Sequence, residues 1–344
     1  MQEFLDKIEY SKIESSNKEV VQNENFPIEK PELSDAVEDF ERLEQTSFKS
    51  LLKKGEWTPR YDGDHLKKLN YYIDTSRIGL ISSNYFSFEA RMCCNSINSP
   101  SPIRNWYNQK FKKTLYNSKY AEKNIKTALH LRKYVASQFR PSAAKCLLEL
   151  FNVNSFHDPC MGWGDRLTAF LATKSVKNYS GTDVNPHLFL GYENQCKHFL
   201  DDTLQNALFL LERAEDYIPV HTYDFAFTSP PYFNIEKYEG LWQSSSKYKK
   251  INDWRTKFLF KMFDNVTENL LAGGYFLLNI SDVYSNHTIN EICAPLIAHA
   301  NTIPTINFVG SIGYRLQKRV NSKSQISGVF AEPTLIFKKT QLPL

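Results

Sequence analysis

From residue 153 onward, short apolar runs alternate with stretches whose apolar positions recur at helical spacing. Residues 153–157, 178–182, 208–211, 225–227 and 275–280 have the length and apolar character of strands. Residues 167–172, 188–199 and 253–271 carry helical periodicity. Such alternation predicts an α/β fold built on a doubly wound sheet. Two further apolar segments, 306–316 and 333–338, are expected to close the sheet as an antiparallel hairpin.

The first 136 residues follow a different pattern. Residues 1–30 are rich in Glu, Ser, Asn and Lys with few large apolar side chains, so residues 1–33 are expected to form a disordered acidic tail. Asp35 is a plausible N-cap with Glu38 three residues on, and Val37, Phe40, Leu43, Phe48, Leu51 and Leu52 continue a helical pattern to Lys54, where Gly55 stops it. Residues 57–102 are irregular and aromatic, suiting either a small core or a lobe that touches substrate. Residues 34–136 are thus expected to be a partly helical extension, and residues 137–344 the main domain.

Composition narrows the class. With 344 residues and 42% hydrophobic content, the chain can bury a large core. No apolar run approaches the roughly 20 residues that span a bilayer, and the N-terminus lacks a signal-peptide pattern. The expectation is a soluble protein of the cytoplasm, with no membrane partner. The six cysteines (Cys93, Cys94, Cys146, Cys160, Cys196 and Cys293) lack paired Cys-x-x-Cys spacing, so reduced thiols are expected and no metal site is indicated.

The net charge of +4 conceals an asymmetry: residues 1–45 carry −8, leaving +12 on the rest. A basic body suits a polyanionic partner. Aromatics interleave with cations around Lys110, Lys112 and Lys113, and Lys249, Lys318 and Arg319 sit in other polar segments. These six are the candidate phosphate contacts, the alternative being ordinary solvated positions.

Candidate chemistry begins at Thr228-Ser229-Pro230-Pro231-Tyr232-Phe233, directly after the strand at 225–227. The prolines end that strand and stiffen the loop, presenting polar groups at a strand's carboxyl end, where open α/β sheets bind ligands. The Ser229 hydroxyl and the Pro230 carbonyl are two acceptors suited to the N–H groups of a conjugated exocyclic amine, whose lone pair must be turned toward an electrophile. Pro231 holds the backbone, and Tyr232 offers a ring for a flat base. Alone, the hexapeptide is equally compatible with a plain Pro-Pro turn.

A second motif lies upstream. Asp158-Pro159-Cys160-Met161-Gly162-Trp163-Gly164 falls between an expected strand and helix, so Gly162 and Gly164 would let a ligand approach the backbone near free helix N–H groups. The next expected strand ends in Asp183, 25 residues after Asp158, the spacing of a ribose-binding acid in a βαβ nucleotide fold.

Together the two motifs resemble those of the DNA amino-methyltransferases, which use S-adenosylmethionine to methylate adenine N6 or cytosine N4. Phe139-Arg140-Pro141-Ser142 resembles the helix-opening segment that precedes the cofactor motif in that family. The resemblance spans roughly residues 137–339. It departs from the family at Cys160-Met161, where Asp-Pro-Phe or a Phe-x-Gly variant is usual, so the contact expected of Cys160 is made by a residue the family does not usually place there.

The resemblance implies a Rossmann-like class I methyltransferase sheet and S-adenosylmethionine as cofactor. The cofactor would be held by Arg140, Pro141, Asp158, Cys160, Gly162, Gly164 and Asp183, and by an acid after the third strand, Glu215 or Asp216, with Asp216 preferred. Ser229, Pro230, Pro231 and Tyr232 would be catalytic. The implied substrate is a base flipped from double-stranded DNA in a bacterial or phage-infected cell, with a restriction nuclease as candidate partner. Competing readings are a methyltransferase of RNA or of a protein amide, and a non-catalytic nucleic-acid-binding subunit. Ser229 and the +12 body argue against the amide, and the intact motifs against the silent subunit.

Overall fold

The computed structural model describes residues 26–61, 64–96, 100–108, 110, 113, 135–233, 236–237, 243–285, 287–316 and 328–341. Helix α1 (Leu33–Gln45) leads through a 3-10 turn (Lys49–Leu51) into strands β1 (Leu52–Lys54), β2 (Trp57–Thr58) and β3 (Lys68–Ile73). Helix α2 (Leu80–Cys93), β4 (Asn95–Ser96) and α3 (Pro102–Tyr107) follow. The main domain then runs α4 (Pro141–Leu150), β5 (Ser155–Asp158), α5 (Asp165–Leu171), β6 (Asn178–Asp183), α6 (Phe189–Phe199), β7 (Asn206–Leu211) and β8 (Tyr223–Thr228).

Beyond β8 come β9 (Glu236–Lys237), α7 (Ser244–Lys247), α8 (Ile251–Trp254), a π turn (Arg255–Leu259), α9 (Phe260–Asn269) and β10 (Leu270–Asn279). The chain continues with β11 (Val283–Ser285), β12 (Thr288–Asn290), α10 (Cys293–Ala300), β13 (Ile306–Arg315) and β14 (Val329–Lys339).

The main sheet has the order β1-β3-β13-β14-β10-β8-β5-β6-β7, with β2 added to β14. Strands β7, β6, β5, β8 and β10 are parallel, and β14 is antiparallel to both β10 and β13. This is the doubly wound, Rossmann-like sheet expected from the sequence, and the expected antiparallel hairpin is present as β13–β14; it does not close the sheet, because β3 and β1 add beyond β13. Its central strands read as continuous apolar runs because both faces are covered: Phe225, Ala226 and Phe227 of β8 are all buried. One core holds Phe156, Leu167, Phe225, Phe227 and Leu277, and the other holds Ala226, Trp254, Phe263, Phe276 and Phe337.

The N-terminal segments share this architecture. Strand β3 pairs in parallel with β13, and Phe40 of α1 stacks on Phe199 of α6 at 3.9 Å. The helix expected to reach Lys54 ends at Gln45. The Ser47 hydroxyl and Phe48 N–H both donate to Glu149 of α4, and Leu52 then pairs with Ile73, so Leu51 and Leu52 serve a strand entrance although they fit a helical period. Likewise, the helix expected over 253–271 ends at Asn269. Leu270 already opposes Tyr223 across the sheet, with a register shift before Tyr275.

Candidate active site

Four parallel strands end around one cleft of about 620 Å³, counting the space at its open mouth. It is lined by Pro159 and Cys160 after β5, by Asp183 after β6, by Ala214 and Glu215 after β7, and by Ser229 and Pro231 after β8. Strands β5 and β8 are neighbours from which the chain winds in opposite directions, so the cleft occupies the topological switch point.

The loop after β5 is fixed from below. Asp158 is fully buried and accepts from Arg166 Nε at 2.8 Å and from the Tyr179 hydroxyl at 3.3 Å, while Arg166 also donates to the Cys160 carbonyl. Asp158 therefore does not line the cleft; it anchors the loop through α5.

Gly162 and Gly164 both adopt left-handed backbone, at φ 57° and 79°, but face different surroundings. A Cβ on Gly162 would point into open space, its nearest neighbour the Cys160 carbonyl at 4.0 Å, whereas one on Gly164 would lie 2.5 Å from Gln195 Nε2. Gly162 lines the cleft, and Gly164 serves packing against α6.

The Gly162 N–H donates to Asp183 Oδ2 at 2.7 Å, and the Asn185 N–H donates to Oδ1 at 2.9 Å. These bonds orient a carboxylate that keeps lone pairs free for hydroxyl donors. Burial pushes the Asp183 carboxyl up to about 6 against the pull of the two backbone N–H groups. Burial likewise raises the Cys160 thiol well above its ordinary value, with Asp183 and Asp158 adding to the effect. Cys160 thus stays protonated, its sulfur 3.9 Å from Met262 Sδ.

After β7, it is Glu215 that lines the cleft. Asp216 turns away to pair with Arg213 at 3.2 Å and Lys261 at 3.5 Å. Glu215 is buried, and burial raises its carboxyl, with Lys247 at 3.6 Å opposing the shift. Asn265 Nδ2 donates to the backbone carbonyls of Ala214 and Glu215, holding this turn from α9.

On the loop after β8, Ser229 and Pro231 line the cleft, Pro230 is buried, and Thr228 Oγ1 donates to the Cys160 carbonyl at 3.5 Å. The Tyr232 hydroxyl donates to the Asn279 carbonyl at the end of β10 at 3.2 Å, which fixes the ring beside the loop. Asn279 is itself held by donating to Thr334 Oγ1 at 3.1 Å.

Arg140 and Pro141 open α4, as expected, but neither lines the cleft: Arg140 donates to the Ser76 carbonyl at 3.0 Å, and Pro141 is buried at the first helical turn. Lys110, Lys113 and Lys249 are exposed, whereas Lys112, Lys318 and Arg319 lie outside the described residues. Lys247, exposed like Lys249 and Lys250, contacts Glu215 at 3.6 Å and Asp216 at 3.7 Å.

Among the cleft residues that sequence reasoning missed are Asn185 and Leu188 after β6, and Gln243, Ser244 and Phe258. Gln243 and Ser244 follow a segment without periodicity. Phe258 reaches the cleft from a π turn, which shifts it off the ordinary helical spacing.

Among the described residues no helix is long and apolar enough to cross a membrane, and no group of three or more His, Cys, Asp or Glu is placed to hold a metal ion. None of the six cysteines forms a disulfide.

No family model matches the chain, and no curated protein matches its sequence. Among solved structures it is similar to the N-methyltransferase NodS of Bradyrhizobium japonicum, at 10% identity over 57% of this chain and 94% of that one, with a TM-score of 0.38. A Streptococcus thermophilus rRNA methylase matches at 12% identity over 60% of this chain and all of its own, with a TM-score of 0.36. A SAM-dependent O-methyltransferase of Thermotoga maritima matches at 10% identity over 63% of this chain and 72% of its own, with a TM-score of 0.38.

Proposed function

We propose that the chain is an S-adenosylmethionine-dependent methyltransferase acting on the exocyclic amine of a base in DNA. The observation that carries this reading is the convergence of the two motifs: Ser229 and Pro231 share one cleft with Gly162 and Asp183 at the switch point of the sheet.

The cleft suits a nucleoside-containing cofactor. Asp183 would accept from the ribose hydroxyls, Gly162 would allow the ligand against the backbone, and Glu215 would accept from the adenine. When bound, the cofactor supplies an electrophilic methyl group.

The chain supplies position and charge. Ser229 Oγ and the Pro230 carbonyl accept from the two N–H groups of the substrate amine, so that its lone pair faces the cofactor end of the cleft. As the nitrogen gains positive charge, the same two oxygens stabilise it, and the excess proton leaves to solvent. Tyr232 holds the flipped base, its hydroxyl tied to Asn279 so that the ring does not have to be ordered at each turnover.

Substitution separates these roles. Ser229→Ala is expected to lower kcat by about a hundredfold to a thousandfold, the range for one lost transition-state hydrogen bond. Tyr232→Ala is expected to raise KM for the nucleic acid, and cofactor affinity should persist in both. Full activity in both variants would refute this assignment.

A further inference from the structure

One cation beside the cleft has no place in the chemistry above. Lys247 ends the short helix α7, and two residues at the start of that turn, Gln243 and Ser244, line the cleft. The turn is held at both of them. The Gln243 carbonyl accepts from the Lys247 N–H at 3.0 Å, and Ser244 Oγ accepts from Nε1 of the fully buried Trp254 at 3.1 Å. Lys247 is thus mounted on the cleft wall itself.

Its ammonium lies 3.6 Å from Glu215 Oε1 and 3.7 Å from Asp216 Oδ2, and the two carboxylates depend on it unequally. Asp216 is open to solvent and also pairs with Arg213 at 3.2 Å and Lys261 at 3.5 Å. Glu215 is 2% exposed, and Lys247 is the one cation paired with it among the described residues. A carboxylate so buried cannot rely on water to stay ionised, and an adjacent cation favours its charge. Among the described residues Glu215 Oε1 accepts no hydrogen bond. At 3.6 Å Lys247 supplies charge without a hydrogen bond, so this oxygen keeps its lone pairs for a ligand.

We propose that Lys247 is a positioning residue for the cofactor, holding Glu215 ionised so that it can accept from the amino group of the cofactor's adenine. This rests on the cofactor reading above. Burial pushes the Glu215 carboxyl above its ordinary value; Lys247 and Arg213 pull it down, and Asp216 pushes it further up. The other titratable groups nearby are Asp183, on the same cleft, and the Cys160 thiol, which burial keeps protonated. Lys247 itself stands over the Tyr248 ring at 5.0 Å. Loss of the Lys247 charge therefore raises the Glu215 carboxyl further, and its neutral form, which has a donor where an acceptor is needed, persists to higher pH.

The test is calorimetric titration of the full chain with S-adenosylhomocysteine from about pH 7 to about pH 9, a range in which Asp183 is already ionised. Near neutral pH, Lys247→Met should weaken binding by about threefold to fivefold, the upper range for a partly exposed ion pair. The deficit should shrink as pH rises and Glu215 ionises. Lys247→Arg, which keeps the charge, should bind like wild type. In a Glu215→Gln background Lys247→Met should have no further effect, whereas in an Asp216→Asn background it should cost as much as in wild type.

Wild-type affinity in Lys247→Met would overturn the proposal. So would a deficit that does not vary with pH, or one that persists in the Glu215→Gln background, since either would show that Lys247 acts other than through the charge of Glu215. If the wild-type chain binds no S-adenosylhomocysteine, the cofactor reading itself falls, an outcome distinct from wild-type binding that survives the loss of Lys247.

Discussion

The two glycines of the loop after β5 offer a sharp test, because one substitution at each position predicts opposite outcomes. At Gly162 a methyl group meets nothing closer than 4.0 Å, so Gly162→Ala costs stability only through its left-handed backbone, about 1 kcal/mol. The same methyl group projects into the cleft, where it occupies space assigned to the cofactor. At Gly164 the added carbon would lie 2.5 Å from Gln195 Nε2 and 3.3 Å from the Tyr192 ring, both on α6. Gly164→Ala combines left-handed strain with overpacking, for about 2–4 kcal/mol in total. Urea denaturation should therefore separate the two by at least about 1 kcal/mol, a gap larger than the scatter among ordinary surface variants. Calorimetric titration with S-adenosylhomocysteine should show the reverse order, with the greater loss of affinity in Gly162→Ala. Equal stability and equal affinity in the two variants would refute the assignment of one glycine to the ligand and the other to packing.

Other consequences follow from the same site. Arg166→Met leaves the buried Asp158 carboxylate without its ion partner and should cost about 3–5 kcal/mol in urea denaturation, with the loop after β5 loosened. Glu215→Gln should weaken cofactor binding severalfold, whereas Asp216→Asn, which removes ion pairs with Arg213, Lys261 and Lys247 but no group lining the cleft, should leave it within about twofold; isothermal titration separates them. Cofactor affinity should be flat above pH 7. It should fall by up to about tenfold per unit below about pH 6, because protonation of Asp183 removes the acceptor assigned to the ribose hydroxyls. In the free protein the sign is the opposite: with its folded pKa raised from 3.8, Asp183 favours the fold below that value, and the contribution is lost as pH rises through about 6.

The strands and the two motifs were legible because their signals are local. An apolar run such as Phe225-Ala226-Phe227 followed by two prolines has few alternatives, and Gly162 sits where a strand must turn into a helix. What sequence did not show depended on distant partners. The choice between Glu215 and Asp216 turns on which carboxylate meets Arg213 and Lys261, and adjacent residues offer no local sign of that. Arg140 has the charge of a ligand-binding residue, yet its guanidinium is taken by the Ser76 carbonyl, 64 residues earlier. The apolar period of Leu51 and Leu52 fits a helix as well as a strand, and only pairing with β3 decides between them. The Phe258 contact depends on a single π turn, whose extra residue leaves the apolar pattern almost intact.

The central claim is tested most directly by incubating the purified chain with methyl-labelled S-adenosylmethionine and, separately, unmethylated DNA, RNA and bulk protein, then hydrolysing the products and identifying the labelled species by mass. The account predicts label in DNA as N6-methyladenine or N4-methylcytosine. Label in RNA or protein alone, or no transfer despite measurable cofactor binding, would contradict it.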